Sequence, residues 1–289
     1  MKAHTDCVPC VFRQVLRAAR RITDDEEKLF AVLTHAMDLV RDRLRTGTPA
    51  DLTTAALKAV TDYFGVNDLY ADERRHTNRI MLQLEPELRK LIEYSRDPLR
   101  TALRLAAAAN MIDFGITDDV DVNAALDKAM TIAFAIDHTD RLVEDLARSK
   151  KLLLLADNSG EIVADKLLLE AIGHKNAWVA VRGAALLNDA TVADAEEVGL
   201  GTVARIISNG SDRLGTVLED CSAAFKRCFN QADVILSKGQ ANFESLEHVD
   251  RDIYFIMTAK CELVARQLGV RLGDVVAARR DLIGAEAAS

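Results

Sequence analysis

The pattern of apolar and polar positions changes character near residue 150 of this 289-residue chain. Before that point apolar residues recur at three- and four-residue spacing, as over 29–44 and 80–92, which predicts amphipathic helices. After it, short apolar runs alternate with amphipathic segments. Five of these runs are predicted strands: Lys151–Ala156, Ala177–Val181, Val203–Ile207, Val234–Leu236 and Ile253–Met257. Such alternation favours an α/β domain over 150–289 with a mostly parallel, Rossmann-like sheet, on which a multihelical region over 1–149 packs.

The segment 152–161 is the most informative part of the chain. Leu152–Leu155 is an apolar run typical of a strand buried on both faces, and Gly160 permits a tight turn into the next helix. Asp157 and Asn158 would then lie at the carboxyl end of the strand, the edge at which open α/β sheets bind ligands. The alternative is an ordinary helix cap, and the segment alone favours neither interpretation.

Polar side chains follow all five predicted strands, and a parallel sheet would bring them to one edge. They are Asp157, Asn158 and Glu161 after the first strand, Asn188, Asp189 and Asp194 after the second, Ser208 after the third, Lys238 and Asn242 after the fourth, and Lys260 after the fifth. Any one of these groups is more often a simple turn or cap. Because all five would share an edge, we expect Glu161, Asn188 and Ser208 to contact a substrate or its phosphate.

Oxygen ligands together with lysines indicate metal-assisted phosphate chemistry. Carboxylate and amide oxygens suit hard divalent cations, so Asp157, Asn158 and Asp194 are the predicted metal ligands. Asp157 and Asp194 are also the predicted catalytic residues. Lys238 and Lys260 would neutralise phosphate oxygens as point charges. The expected reaction is hydrolysis of a phosphate ester by a metal-oriented water or by attack of Asp157.

Composition narrows the function further. A net charge of −8 argues against a nucleic-acid partner, and no apolar run approaches the roughly 18 residues that span a bilayer. The first twenty residues lack the apolar block of a secretory signal, so we expect a cytoplasmic protein. Its expected partner is a small phosphorylated metabolite, and the sequence leaves the oligomeric state open. The glycine-rich fingerprints of ATP and dinucleotide sites and the Gly-x-Ser-x-Gly elbow are absent.

The motifs resemble, in order, those of the damage-control phosphatases, a former domain-of-unknown-function family that includes a protein once proposed as an acidic-residue methyltransferase. They are Cys7-Val-Pro-Cys10, Asn110-Met-Ile-Asp113, Asp157-Asn158-Ser-Gly160-Glu161, Asn188-Asp189-Ala-Thr-Val-Ala-Asp194, Lys238-Gly-Gln-Ala-Asn242-Phe-Glu244 and Thr258-Ala-Lys260. The resemblance implies a helical region on a three-layer α/β/α core, and a phosphatase that uses manganese, magnesium, cobalt or nickel. It also implies that Lys260 contacts phosphate. Substrate-pocket positions of the family match Asn110, Asp113, Lys238 and Asn242.

Cys7 and Cys10 form a Cys-x-x-Cys pair that resembles the prokaryotic-type subfamily. Their role stays open between buried structural thiols, part of a second metal site and a disulfide. A structural zinc would need two further ligands, and disulfides are rare in the cytosol.

Two other functions stay open as well. A haloacid dehalogenase-like phosphatase, with an aspartyl-phosphate intermediate, would need a second Asp where Ser159 stands. An S-adenosylmethionine-dependent methyltransferase, or a non-catalytic metabolite-binding protein, would normally have a glycine-rich first turn, and here only Gly160 is present.

Overall fold

The computed structural model describes residues 1–109, 131 and 133–283. Within these residues the chain forms eleven α-helices and seven β-strands. The helices are α1 (Cys7–Arg20), α2 (Glu26–Val40), α3 (Pro49–Phe64), α4 (Ala71–Glu93), α5 (Pro98–Ala109), α6 (Thr139–Arg148), α7 (Glu161–Ile172), α8 (Val192–Glu197), α9 (Ala223–Gln231), α10 (Gln240–Leu246) and α11 (Glu262–Leu268). The strands are β1 (Phe134–Asp137), β2 (Leu152–Leu155), β3 (Ala177–Val181), β4 (Arg205–Ser208), β5 (Val234–Lys238), β6 (Ile253–Thr258) and β7 (Val275–Arg279).

The strands form a single mostly parallel sheet in the order β1-β7-β6-β5-β2-β3-β4. Neighbouring strands are parallel except β6 and β7, which run antiparallel. All five predicted strands are present. The sequence pattern missed β1 and β7, which extend the sheet on the β6 side and run opposite to the rest. The strands β3, β2, β5 and β6 are consecutive and parallel, so their carboxyl ends and the loops after them meet at one edge.

Both faces of the sheet are covered by helices, which makes the three layers that the family resemblance implies. Alternate residues of a strand point to opposite faces. Leu152 and Leu154 pack in a core shared with α4, α5 and α7, whereas Leu153 and Leu155 pack against α9, α10 and α11. The continuous leucine run is therefore explained by burial on both sides.

The helical region divides between two cores. Helices α1, α2 and α3 have a core of their own, with Val15, Val32 and Ala56 almost fully buried. Helices α4 and α5 instead belong to the core on one face of the sheet. Residues 1–149, expected to be helical, thus also contribute the strand β1 and, with α4 and α5, part of one outer layer. A domain boundary at residue 150 stays a prediction. None of the described helices is long and apolar enough to cross a membrane.

Candidate active site

The loop after β2 presents two oxygen-bearing side chains at the carboxyl edge of the sheet. Asp157 is buried, and its carbonyl oxygen accepts a hydrogen bond from the Ala190 amide at 2.8 Å, which joins this loop to the loop after β3. Asn158 Nδ2 donates to Asp157 Oδ2 at 2.9 Å and to Glu161 Oε2 at 3.1 Å. These two bonds use both amide hydrogens, and neither engages the Asn158 side-chain oxygen.

The loop after β3 brings a second carboxylate, Asp189, to the same place. Residues Asn158 and Asp189 form an isolated β-bridge. Arg182 directly follows β3, and its Nε donates to Asp189 Oδ2 at 2.5 Å while its Nη2 lies 3.8 Å from Asp157 Oδ1. One buried guanidinium therefore faces both carboxylates.

The electrostatics of this pair favour a cation. Burial, the Asp189 charge and the Glu161 charge raise the pKa of Asp157 to about 7. Burial and the Glu161 charge also raise the pKa of Asp189, although Arg182 opposes the shift. Buried carboxylates that repel one another are stabilised by a nearby positive charge, and a bound divalent ion is often the largest such charge.

The donor set is of the kind that hard cations take. Among the described residues, no group of three or more His, Cys, Asp and Glu side chains is arranged to hold a metal ion. Two carboxylates, Asp157 and Asp189, and the amide oxygen of Asn158 are the donors that this edge offers. Magnesium-type sites commonly use one or two carboxylates and complete their shell with water and substrate phosphate oxygens.

A cavity of about 490 Å³ opens onto these side chains, a size typical of small-molecule sites. Its polar residues include Asp157, Asn158, Asn188, Asp189 and Lys260. Helix α1, helix α3 and nearby loops supply apolar wall residues: Cys7, Val11, Pro49, Ala50, Leu187 and Leu214. The cavity therefore joins an acidic, lysine-bearing region to an apolar wall.

Asp194, a predicted metal ligand and catalytic residue, does not line this cavity. It is the third residue of α8 and forms a capping box with Thr191, whose backbone N–H donates to Asp194 Oδ2 at 2.9 Å. The same carboxylate pairs with Arg74 Nε at 3.3 Å and accepts from Asn78 Nδ2 at 3.2 Å. The structure thus brings Asp189, rather than Asp194, beside Asp157. The Thr-x-x-Asp spacing was the sequence signal for a cap.

Lys238, predicted to bind phosphate, is fully buried beneath the site. Its ammonium donates to Glu161 Oε1 at 2.7 Å, Asp165 Oδ1 at 2.6 Å and Ala106 O at 3.0 Å. Burial would lower the pKa of Lys238, but Asp165 and Glu161 outweigh that effect and raise it. All three N–H groups are used by protein acceptors, so Lys238 holds Glu161, and Glu161 in turn holds Asn158.

Asn242 and Ser208 also lie away from the cavity lining. Asn242 is fully buried, donates to Ala156 O and Lys238 O, and accepts from Arg182 and Thr216. Ser208 Oγ accepts from the Gly210 amide at 3.0 Å. The side chain of Asn242 therefore ties strand ends together rather than facing a ligand.

Lys260 and Asn188 do line the cavity, while their contact with substrate or phosphate stays a prediction. The positive charge of Lys260 opposes the rise in the pKa of both Asp157 and Asp189, so its ammonium is close enough to act on the acidic pair. The predicted pocket residues Asn110 and Asp113 lie outside the described residues.

Cys7 and Cys10 lie at the start of α1 and line the cavity together with Cys261. Each of the three is a free thiol, and burial raises the pKa of Cys7. Cys7 is buried and Cys10 is exposed. This arrangement includes no disulfide between the pair.

Three site residues received no role in the sequence analysis: Arg182, Gly239 and Glu244, the last two quoted only within a motif. Arg182 and Gly239 each follow a strand directly, at the same edge as the predicted residues, and this position was the available signal. Glu244 lines the cavity from α10. Its burial raises its pKa to about 7, and the Gln240 side chain and the N-terminal amino group oppose that shift.

The model of the damage-control phosphatase ARMT1-like domain matches residues 3–276. The chain belongs to this family. Among its relatives, an uncharacterised protein of Methanocaldococcus jannaschii is 34% identical over 97% of this chain and 96% of its own length. Proteins named damage-control phosphatases from Archaeoglobus fulgidus and Pyrococcus horikoshii are each 30% identical, over 96% of this chain and 99% and 98% of their own lengths.

A solved family structure confirms the fold. The crystal structure of a DUF89 family protein from Pyrococcus horikoshii matches with a TM-score of 0.91 and 28% sequence identity. The match covers 97% of this chain and 99% of that chain. The resemblance drawn from the motifs is therefore confirmed, and family membership indicates a phosphatase.

Proposed function

We propose that this chain is a divalent-metal-dependent phosphatase that hydrolyses small phosphomonoesters, such as sugar phosphates, nucleotides or damaged phosphometabolites. The observation that carries the proposal is the pair of buried carboxylates, Asp157 and Asp189, facing a cavity that also contains Lys260. The relatives named damage-control phosphatases support the phosphatase part of the proposal.

The proposed metal ligands are Asp157, Asn158 and Asp189, with Asp189 in the place first assigned to Asp194. A manganese, magnesium, cobalt or nickel ion held there would supply Lewis-acid stabilisation to the phosphate oxygens. The bonds from Asn158 Nδ2 to Asp157 and Glu161 hold the Asn158 side chain beside Asp157. Arg182 holds Asp189 through its Nε and limits the repulsion between the two carboxylates.

Lys260 is the proposed phosphate contact. It lies on the cavity wall near both aspartates, and its backbone N–H donates to Gln240 Oε1 at 2.8 Å, which fixes the start of its loop. An ammonium at this position would neutralise a phosphate oxygen and compensate the negative cavity wall.

The test is phosphate release from a panel of phosphomonoesters by chelator-stripped protein, with manganese, magnesium, cobalt and nickel added back singly. Asp157→Asn runs in parallel, and Glu262→Gln, an exposed carboxylate on the same cavity, is the matched control. We expect metal-restored turnover in the wild type and the control but not in Asp157→Asn. Full activity of Asp157→Asn would refute the ligand assignment, and absence of release with every metal would refute the phosphatase proposal.

A further inference from the structure

We propose that one face of helix α4 is a clamp that fixes the distance between the two metal-binding loops, with Arg74 and Asn78 as positioning residues. The clamp rests on the proposed function, because it concerns the loops that carry Asp157 and Asp189. Neither residue lines the cavity, so each would act only through the loops.

Asn78 holds the loop after β2. Its Oδ1 accepts a hydrogen bond from the Gly160 amide at 2.7 Å, and its side chain is fully buried. The hydroxyl oxygen of the preceding residue, Thr77 Oγ1, lies 3.1 Å from Ser159 Oγ. Gly160 approaches α4 so closely that a Cβ there would lie 3.0 Å from Thr77 Cβ. Helix α4 therefore seats the residues that directly follow Asn158.

Arg74 holds the loop after β3. Its Nη1 donates to the carbonyl oxygen of Leu187 at 3.1 Å, two residues before Asp189. Leu187 has a φ of 51°, the only positive φ of a non-glycine residue in the described ranges. A leucine in the left-handed region is strained, and surrounding contacts must hold it there. The bond from Arg74 is such a contact.

Asp194 connects the two halves of the clamp. Its carboxylate pairs with Arg74 Nε and accepts from Asn78 Nδ2, whose other hydrogen is donated to Glu197 Oε2 at 2.7 Å. Asp68 fixes the remaining side of the Arg74 guanidinium at 2.5 Å. Every polar direction of Asn78 is used, and Arg74 is held from three sides.

Residues three and four positions apart share a helix face, which is why Arg74, Thr77 and Asn78 act together. They reach two loops that come from different strands and that otherwise meet through backbone bonds such as Ser159 N to Asn188 O at 2.8 Å. Ligand residues need outer contacts of this kind to keep their geometry, and removing such contacts typically costs 10–100-fold in metal affinity or activity.

The test compares Arg74→Lys and Asn78→Asp with Arg89→Lys, which lies on the same helix and pairs with Glu85 and Glu170 away from the loops. Lysine keeps the charge of Arg74, but its compact ammonium cannot reproduce the planar fork with which the guanidinium faces Asp68, Leu187 and Asp194. Aspartate keeps an acceptor for the Gly160 amide but sets a second oxygen against the Asp194 and Glu197 carboxylates.

Two readouts are needed, and neither is turnover. Calorimetric titration of metal-free protein with Mn²⁺ should show about 10–100-fold weaker binding in both clamp variants and no change in Arg89→Lys. Amide hydrogen exchange of Ser159, Gly160 and Ala190 in metal-free protein should be about tenfold faster in the clamp variants alone. Thermal unfolding identifies a variant that has lost its fold, in which case the other clamp variant decides.

Wild-type Mn²⁺ affinity together with wild-type loop exchange in a folded clamp variant would overturn the proposal, as would equal changes in Arg89→Lys. If the wild type binds Mn²⁺ but hydrolyses no phosphomonoester, the proposed function fails while both readouts still test the clamp. If the wild type binds no Mn²⁺, the exchange comparison alone decides it.

Discussion

The α-carbon of Gly239 lies against the carboxylate of Asp157. A Cβ built on Gly239 would come within 1.9 Å of Asp157 Oδ2 and 2.2 Å of its Cγ. Gly239 also has φ 77° and ψ 160°, a backbone conformation that is nearly confined to glycine. Position 239 must be glycine because Asp157, the proposed ligand, occupies the space of a side chain there.

Gly239→Ala should abolish metal binding and turnover, because the methyl group must displace Asp157. The matched control is Gly269→Ala, at φ 72° with no atom within 4 Å of the added Cβ. Alanine at Gly269, with φ 72° and ψ 28°, incurs left-handed strain of roughly 1–2 kcal/mol. Alanine at Gly239 incurs backbone strain as well, of about 1–3 kcal/mol, and it alone changes the site. Mn²⁺ titration and phosphate release would check this, and a Gly239→Ala protein that is as active as Gly269→Ala would contradict it.

Asp189→Asn should reduce metal affinity and turnover far more than Asp194→Asn. The first change removes charge from the cavity wall, whereas the second weakens a helix cap and the pairing with Arg74. For Asp194→Asn we expect a loss of about 1–3 kcal/mol in unfolding free energy, as for a charge-assisted hydrogen bond. Metal titration and urea unfolding of both variants give the comparison, and the reverse order of metal affinities would restore Asp194 as the ligand.

The sequence predicted the central sheet and the edge at which the site lies, because β2 to β6 are apolar runs between amphipathic helices. It missed β1, whose exposure alternates at the sheet edge, and β7, whose Val-Val-Ala-Ala-Arg run is weakly apolar. Neither segment differs from a loop or helix fragment by periodicity alone.

Within the site, the sequence could not show which of Asp189 and Asp194 lies beside Asp157, because the turn before Asp189 has no glycine to mark it. Leu187 adopts the left-handed conformation before Asp189, where its carbonyl oxygen accepts from Arg74 and its side chain packs against the core of α1, α2 and α3. By contrast, the alternation of side chains along β5 could have predicted that Lys238 points into the core rather than toward a ligand. Val234 and Leu236 face the core shared with α5, and Lys238 continues that alternation toward Ala106.

Lys260→Ala should weaken substrate binding, whereas Lys238→Met should reduce the stability of the fold. Lys238 is fully buried between Glu161 and Asp165, so its loss leaves two uncompensated carboxylates and should reduce the unfolding free energy by about 3–5 kcal/mol. Lys260 is exposed on the cavity wall, so Lys260→Ala should raise KM for a phosphomonoester about tenfold with little change in Tm. Steady-state kinetics and thermal unfolding test both, and a large Tm loss in Lys260→Ala would contradict the assignment.

Glu244 should make the stability of the protein depend on pH. Burial raises the pKa of this carboxyl from 4.5 to about 7, so between those values the folded state binds more protons than the unfolded state. The free energy of unfolding then falls as the pH rises through this window. Glu244→Gln mimics the protonated form and removes the effect.

The variant and the wild type should therefore be equally stable near pH 4, while the variant should be more stable at pH 8, by on the order of 3 kcal/mol at most. Urea unfolding of both proteins from pH 4 to pH 8 measures the difference directly. Glu262→Gln is the control, since this glutamate lines the same cavity but is exposed, and it should follow the wild type. A constant difference between Glu244→Gln and the wild type across this range would show that Glu244 does not titrate within it.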